Sequence, residues 1–118
     1  MTTKACGDWG EAQVAAYLRR RGWEIVAANY RCRFGEIDII ARHRGVLLFV
    51  EVKRRSSLRY GRPAEAVDRQ KQAHILRTAQ LYLQEKHIVD TAVRFDVIEV
   101  LPGEIRHIEN AFDASAIY

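Results

Sequence analysis

The sequence predicts a single α/β domain with the element order α-β-β-β-α-β-β. Apolar residues recur at helical spacing in residues 8–21 and again in 64–86, which indicates two helices. Extended apolar runs in residues 34–53 and 93–109 are each interrupted by a short glycine-containing turn, as in β-hairpins. At 118 residues the chain fits one domain, residues 1–118, which would bury roughly two thirds of its unfolded surface.

The charge of the chain is unevenly distributed between its two halves. Residues 1–62 contain 13 Lys and Arg against 6 Asp and Glu, whereas residues 63–118 contain 6 against 9, so the net charge of +4 is the sum of +7 and −3. A basic half suits an anionic partner such as nucleic acid. A solvated surface with no partner would show the same modest excess, and charge alone leaves the two interpretations open.

Several classes of protein are not expected from the composition. No apolar run approaches the length of about 20 residues that a membrane span requires. The first residues lack the apolar segment of a signal peptide. Cys6 and Cys32 are far apart in sequence and form no CxxC motif, which favours a reducing compartment over a disulfide scaffold. We therefore expect a cytoplasmic protein that does not associate with membranes.

The first helix is predicted over residues 8–21, with Asp8 as its N-cap and a run of arginines before Gly22. Cations at the C-terminal end of a helix are favourable for its macrodipole. Asp8 and Glu11 are spaced as in a capping box, which would make Glu11 a structural residue.

Residues 23–29 are predicted to form the first strand, and residues 29–35 a turn or loop. Arg31 and Arg33 lie in that loop, directly before the next strand. Arginines interleaved with aromatic residues are typical of nucleic-acid contacts. We interpret the neighbouring aromatic side chains as packing residues.

The central hairpin carries charged residues within strands that are otherwise strongly apolar. Period-2 alternation and a two-residue turn at Arg44 and Gly45 place Asp38 opposite Glu51, with Lys53 on the same face of its strand. Opposed carboxylates, with Cβ atoms about 5 Å apart, repel each other. A divalent cation would convert this repulsion into a binding site, because hard cations prefer several oxygen ligands.

A basic stretch follows Lys53 and leads to the second helix. We interpret it as a mobile loop that contacts phosphate, with an ordinary solvated loop as the alternative; its cations are Arg54, Arg55, Arg59 and Arg62. The helix is predicted to start at Pro63, with a break near Asp68, and to cover one face of the sheet.

The chain ends in a second hairpin, with strands at residues 93–101 and 104–109 joined by a turn at Pro102 and Gly103. Asp96 lies between apolar residues of the first of these strands. We expect it to have a structural role and to pair with Arg94 or Arg77. The four histidines show no paired ligand spacing, so no histidine zinc site is predicted.

Gly35-Glu36-Ile37-Asp38 followed by Phe49-Val50-Glu51-Val52-Lys53 resembles the D…ExK core of the PD-(D/E)XK, or restriction-endonuclease-like, nucleases. The whole chain is similar to the YraN-like family of small bacterial proteins, themselves similar to archaeal-type Holliday junction resolvases. The resemblance implies a mixed central sheet flanked by helices.

The resemblance also implies roles for individual residues. Asp38, Glu51 and the backbone carbonyl of Val52 would bind Mg²⁺ or Mn²⁺, with Glu11 as an outer or second-metal ligand. Lys53 would orient the attacking water or stabilise the developing charge. Gln70 and Lys71 fall where related nucleases place a residue that reaches the active site, and we count Lys71 among the nucleic-acid contacts.

These observations favour a metal-dependent DNA endonuclease, with branched or single-stranded DNA as candidate substrates. One alternative is a nucleic-acid-binding module on the same fold that does not cut. Another is a structural protein in which arginines pair with the hairpin carboxylates. The resolvase-like relatives act as symmetric pairs, so a homodimer is one arrangement compatible with the resemblance.

Overall fold

The computed structural model describes residues 3–55 and 67–113, with side chains from residue 10 onward. Within these ranges the chain forms two helices and five strands in the predicted order α-β-β-β-α-β-β. The elements are α1 (Thr3–Arg20), β1 (Glu24–Cys32), β2 (Gly35–His43), β3 (Val46–Arg54), α2 (Arg69–Glu85), β4 (Ala92–Leu101) and β5 (Glu104–Phe112). The predicted α/β class is confirmed.

The strands form one mixed sheet in the order β1-β2-β3-β4-β5. Strands β1, β2 and β3 are antiparallel neighbours, and β4 and β5 form the terminal antiparallel hairpin. Strands β3 and β4 are parallel. Parallel neighbours need a long crossover, and the connection of residues 55–91, which contains α2, provides it.

The two helices cover opposite faces of the sheet. Side chains of α2, including Leu76 and Tyr82, pack in one buried cluster with Phe49 of β3. Val14 and Leu18 of α1 pack in a second cluster on the other face. Because β3 is buried on both faces, its sequence is almost continuously apolar instead of alternating.

The first helix begins earlier than the sequence predicted. It starts at Thr3, so Asp8 lies inside the helix and is not its N-cap, and the predicted capping box is wrong. A side-chain cap contributes only about 1 kcal/mol. A capping signal of that size does not stop a helix from extending through the preceding residues.

The predicted loop at residues 29–35 is largely strand. Strand β1 continues to Cys32, which pairs with Gly35 across the two-residue turn of Arg33 and Phe34. Asn29 adopts the positive φ of 53° that its type tolerates, although it lies within the strand. Pairing with β2 outweighs the local preference of these residues for a turn, because the sheet provides their backbone partners.

The second helix begins after Asp68, as the predicted break indicated. The Asp68 side chain is the N-cap and accepts a hydrogen bond of 2.8 Å from the Lys71 N–H. The start predicted at Pro63 lies outside the described residues, as do Arg59 and Arg62. Neither described helix is long and apolar enough to cross a membrane.

The terminal hairpin and the pairing of Asp96 with Arg94 are confirmed. The buried Asp96 carboxylate accepts two hydrogen bonds from the Arg94 guanidinium, at 2.9 and 2.8 Å. It also accepts one from the Asn110 N–H at 3.0 Å and contacts His107 Nε2 at 2.7 Å. Strand β5 extends to Phe112, beyond the predicted end at residue 109.

Candidate active site

The β2–β3 hairpin has the predicted register. Arg44 and Gly45 form the turn with φ of 52° and 80°, and two positive φ values are characteristic of tight hairpin turns. His43 therefore pairs with Val46, and the pairing continues as far as Ile39 and Val50. The next position along each strand is Asp38 and Glu51, so the hairpin brings these carboxyl groups together.

Asp38 takes part in the strand pairing through its side chain. Its Oδ2 accepts a hydrogen bond of 2.7 Å from the Val52 N–H. Burial, together with the negative charges of Glu51, Glu11 and Glu36, raises the pKa of Asp38 to about 8, although the hydrogen bond from the Val52 N–H acts in the opposite direction. The carboxyl is therefore difficult to ionise unless a cation compensates its charge.

Glu51 lies beside Asp38 and contacts two ammonium groups. Its side chain is only 7% exposed, and Oε2 lies 2.8 Å from Lys71 Nζ and 3.5 Å from Lys53 Nζ. Burial alone would lower the pKa of Lys71, but the hydrogen bond to Glu51 and the charges of Glu51 and Asp38 raise it overall. Helix α2 thus brings Lys71 to the carboxylates of the hairpin.

Glu11 approaches this cluster from α1. Its charge contributes to the raised pKa of Asp38, so the two groups are electrostatic neighbours. In the described part of the chain, however, no three His, Cys, Asp or Glu side chains form a group that could hold a metal ion. Asp38, Glu51 and the Val52 carbonyl remain as candidate oxygen ligands, a set of the size that Mg²⁺ uses when waters and substrate complete its shell.

The arginines assigned to nucleic acid have different surroundings. Arg31 is 70% exposed and pairs with Glu36 at 3.1 Å, and the Arg33 guanidinium lies over the Phe34 ring. Both cations are near the β1–β2 turn.

Arg54 belongs to strand β3 and not to the predicted loop, which corrects the prediction for this residue, and Arg55 directly follows the strand. Strand β3 includes Arg54, and the Arg55 N–H donates to the Val100 carbonyl at 2.9 Å. The Arg55 side chain is ion-paired with Glu99. Strand β4 runs parallel to β3 and pairs with it as far as Arg54, so both arginines have backbone contacts with β4. The composition of residues 54 and 55 alone does not predict these contacts.

Glu99 is a buried charged residue that the sequence analysis missed. It is 1% exposed and pairs in register with Lys53 across the β3–β4 ladder. A sequence signal was present, because Glu99 interrupts an apolar strand as Asp38 and Glu51 do. Its proximity to Lys53 depends on the parallel pairing, which could not be derived from local pattern.

Comparison with known proteins places the chain in a family. Residues 10–100 match the sequence model described as "Uncharacterised protein family UPF0102". The chain belongs to the UPF0102 family. It is 50% identical over 115 residues to a UPF0102 protein of Lachnoclostridium phytofermentans, covering 97% of this chain and 98% of that one.

Other members of the UPF0102 family are similar over nearly the same length. The Persephonella marina protein is 46% identical over 107 residues, covering 91% of this chain and 92% of its own. The Syntrophotalea carbinolica protein is 48% identical over 111 residues, covering 91% of this chain and 90% of its own length. The predicted membership of this uncharacterised bacterial family is therefore confirmed, and the name of the family carries no activity.

Proposed function

We propose that this UPF0102 protein is a metal-dependent DNA endonuclease with a restriction-endonuclease-like active site. The observation that carries the proposal is the pair of adjacent carboxyl groups, Asp38 and Glu51, with the ammonium groups of Lys53 and Lys71 gathered around it. Phosphodiester hydrolysis uses such a combination, in which carboxylates bind a cation and amines bind phosphate.

The cost of this arrangement to folding supports a functional role. A buried carboxyl group is unfavourable, and a second one beside it adds repulsion. A hairpin with a purely structural role would avoid the cost of burial and the repulsion by pairing each acid with an arginine. Among the described residues Asp38 accepts a backbone N–H and Glu51 contacts lysines, whereas the structural alternative expects arginines at these carboxylates.

The oxygen donors fit Mg²⁺ or Mn²⁺, which prefer carboxylate and carbonyl ligands. Asp38, Glu51 and the Val52 carbonyl would hold the ion, with Glu11 adding negative charge from α1. When bound, the ion would activate a water and neutralise charge on the phosphate. Lys53, which is 28% exposed, would bind a phosphate oxygen and stabilise the charge that develops on it.

The substrate we propose is DNA in branched or single-stranded form. With this substrate the protein would act in the cytoplasm, and a symmetric homodimer would offer one active site to each of two strands of a junction. Arg31 and Arg33 at the β1–β2 turn and Lys71 on α2 would contribute contacts to the phosphate backbone.

The test is a cleavage screen with Mg²⁺ or Mn²⁺ on linear, single-stranded and four-way DNA, with EDTA as the metal-free arm. Wild type is expected to cut at least one substrate, and Asp38→Asn and Lys53→Ala to lose at least about 100-fold in rate. Glu24→Gln is the matched control, because Glu24 is an exposed acid on β1 paired with Arg42. Equal cleavage by all four proteins would indicate a contaminating nuclease and refute the proposal.

One observation favours a second candidate, a nucleic-acid-binding module that does not cut. Two ammonium groups already compensate the Glu51 charge, so this carboxylate does not require a metal ion. In that case DNA should bind equally well in EDTA, and neither wild type nor Lys53→Ala should cleave any substrate in the screen.

A further inference from the structure

A cavity of about 350 Å³ lies between α1 and the first two strands, on the face of the sheet that α1 covers. Three alanines leave room for it, with Ala12 and Ala15 on the helix and Ala28 on β1. Ile25 and Ile39 add larger apolar side chains to its wall from the sheet. Its volume lies within the range of about 300–1,000 Å³ that is typical of small-molecule sites, so it has room for a group of the size of a nucleobase.

The cavity adjoins the candidate active site. The β1–β2 register places Asn29 of β1 at the level of Asp38 of β2, between the pairs on either side. Asn29 lines the cavity, and so does Glu11, whose charge contributes to the raised pKa of Asp38. A ligand in the cavity would therefore lie directly beside the carboxylates of the hairpin, on the side of α1.

Two polar side chains of the wall are suited to a nucleotide. Asn29 carries a carboxamide, in which an acceptor and a donor lie side by side and match the N6 and N7 edge of adenine. The exposed Arg19 lies about two turns of α1 beyond Glu11, or about 12 Å along the helix axis. A guanidinium binds phosphate oxygens, and the apolar wall between these groups suits the faces of a planar base.

We propose that this cavity binds an unpaired adenine base of the DNA strand, next to the phosphate that the candidate active site would hold. The apolar wall contacts the faces of the base, Asn29 binds its edge, and Arg19 binds a phosphate of the same strand. Only an unpaired base enters such a cavity, since the bases of a duplex are stacked. The inference rests on the proposed function and makes the substrate more specific, because it places an unpaired purine beside the cleaved bond.

A change of the hydrogen-bonding edge is the most specific test. The affinities of fluorescein-labelled oligo(dA) and oligo(dC) are measured by anisotropy in EDTA, so that no strand is cut. Wild type is expected to prefer oligo(dA) about 5–10-fold, the effect of one bidentate contact. Asn29→Asp tolerates the same positive φ of 53° but only accepts hydrogen bonds, so it should lose this preference and favour the amino group of cytosine. The added negative charge weakens the binding of both oligonucleotides, and the ratio of the two affinities is therefore the quantity compared.

Two pairs of variants test the volume and the charge of the cavity. Ala12→Leu fills the space from an exposed position of α1, where leucine is a good helix former, and should weaken oligo(dA) binding at least about 5-fold. Gln13→Leu introduces the same side chain at the neighbouring exposed position, outside the described wall of this cavity, and should leave the affinity unchanged. Arg19→Gln should weaken binding and reduce the slope of log K against log salt by about 0.7, because one phosphate contact is lost. Arg20→Gln removes the next exposed cation of the helix and is its control.

Equal affinity of wild type for oligo(dA) and oligo(dC) would overturn the proposal, and so would equal effects within either pair of variants. If Ala12→Leu changes self-association in sedimentation and leaves the DNA affinity unchanged, the cavity docks a second copy of the chain and the proposal is wrong.

The same measurements distinguish this inference from the proposed function, because every binding experiment omits metal. Binding with the expected preference but without cleavage in the metal screen would refute the endonuclease and leave the adenine site standing. Cleavage that is unaffected by Ala12→Leu and Asn29→Asp would refute the adenine site alone. A wild type that binds neither oligonucleotide would refute both.

Discussion

Substitution of Asp38 tests the physical account of the carboxylate pair most directly. With a pKa raised to about 8, Asp38 is mostly protonated at pH 7 in the absence of a cation. Asparagine has the shape of a protonated aspartate and keeps an oxygen that can accept the Val52 N–H. Asp38→Asn should therefore be as stable as wild type at pH 7 without metal, or slightly more stable.

Asp38→Ala removes the carboxyl oxygen that accepts a hydrogen bond from the Val52 N–H, and so leaves this N–H without its partner. An unsatisfied N–H costs about 1–3 kcal/mol when it is buried. Unfolding entropy near 60 °C is about 2.1 cal/mol/K per residue, so for 118 residues 1 kcal/mol corresponds to about 4 °C in Tm. We expect Asp38→Ala to melt about 4–12 °C below wild type, since it combines that cost with the loss of packing.

With Mn²⁺ present, wild type is expected to be more stable than Asp38→Asn, which reverses the order of stability expected without metal. A ligand at a hundred-fold excess over its Kd stabilises the native state by about 2.7 kcal/mol, or about 11 °C in Tm. Wild type should show a rise of this size, and neither Asp38 variant should show it. Calorimetry of wild type, Asp38→Asn and Asp38→Ala, each with and without Mn²⁺, measures the six melting temperatures. A Tm rise of equal size in all three, or an Asp38→Ala protein as stable as Asp38→Asn, would refute the reasoning.

Two further predictions concern residues outside the carboxylate cluster. Burial alone would raise the pKa of Asp96, but hydrogen bonds with His107, Arg94 and the Asn110 N–H lower it below its ordinary value of 3.8. A lowered folded pKa gives stability that is present above pH 3.8 and is lost as pH falls through the folded pKa. Urea unfolding between pH 7 and pH 2 should show this loss in wild type and a flatter profile in Asp96→Asn; identical pH slopes would contradict it. Asp68→Ala removes the N-cap of α2 and should cost about 1 kcal/mol, measured by the same unfolding experiment, whereas Asp68→Ser should recover most of it.

Local sequence signals predicted the elements and one half of the candidate site. Arg44 and Gly45 specify a tight hairpin turn, and a tight turn fixes the register of the strands beside it. The proximity of Asp38 and Glu51 follows from that register and from the alternation of side chains, both of which can be counted along the chain. The same reasoning predicted the terminal hairpin and a pairing of Asp96 with Arg94 or Arg77, of which the structure has Arg94.

Local sequence signals gave the wrong ends for α1 and β1, where the preference of one residue opposes the pairing of a longer segment. Asp8 has the character of an N-cap, but α1 continues past it to Thr3. Residues 29–32 have turn-like composition and nevertheless extend β1, because β2 satisfies their backbone groups. In each case the preference of one side chain is small, and the pairing of a whole segment outweighs it.

The sequence by itself determined the order of the helices and strands and the meeting of two acids on one hairpin, since both arise from contacts between residues close along the chain. Only the tertiary structure decided what surrounds those acids: Lys71 reaches Glu51 because α2 packs on the sheet, and Glu99 lies beside Lys53 because β4 is parallel to β3. These contacts join segments 20 or more residues apart, and their geometry depends on how the layers pack, which no local spacing encodes.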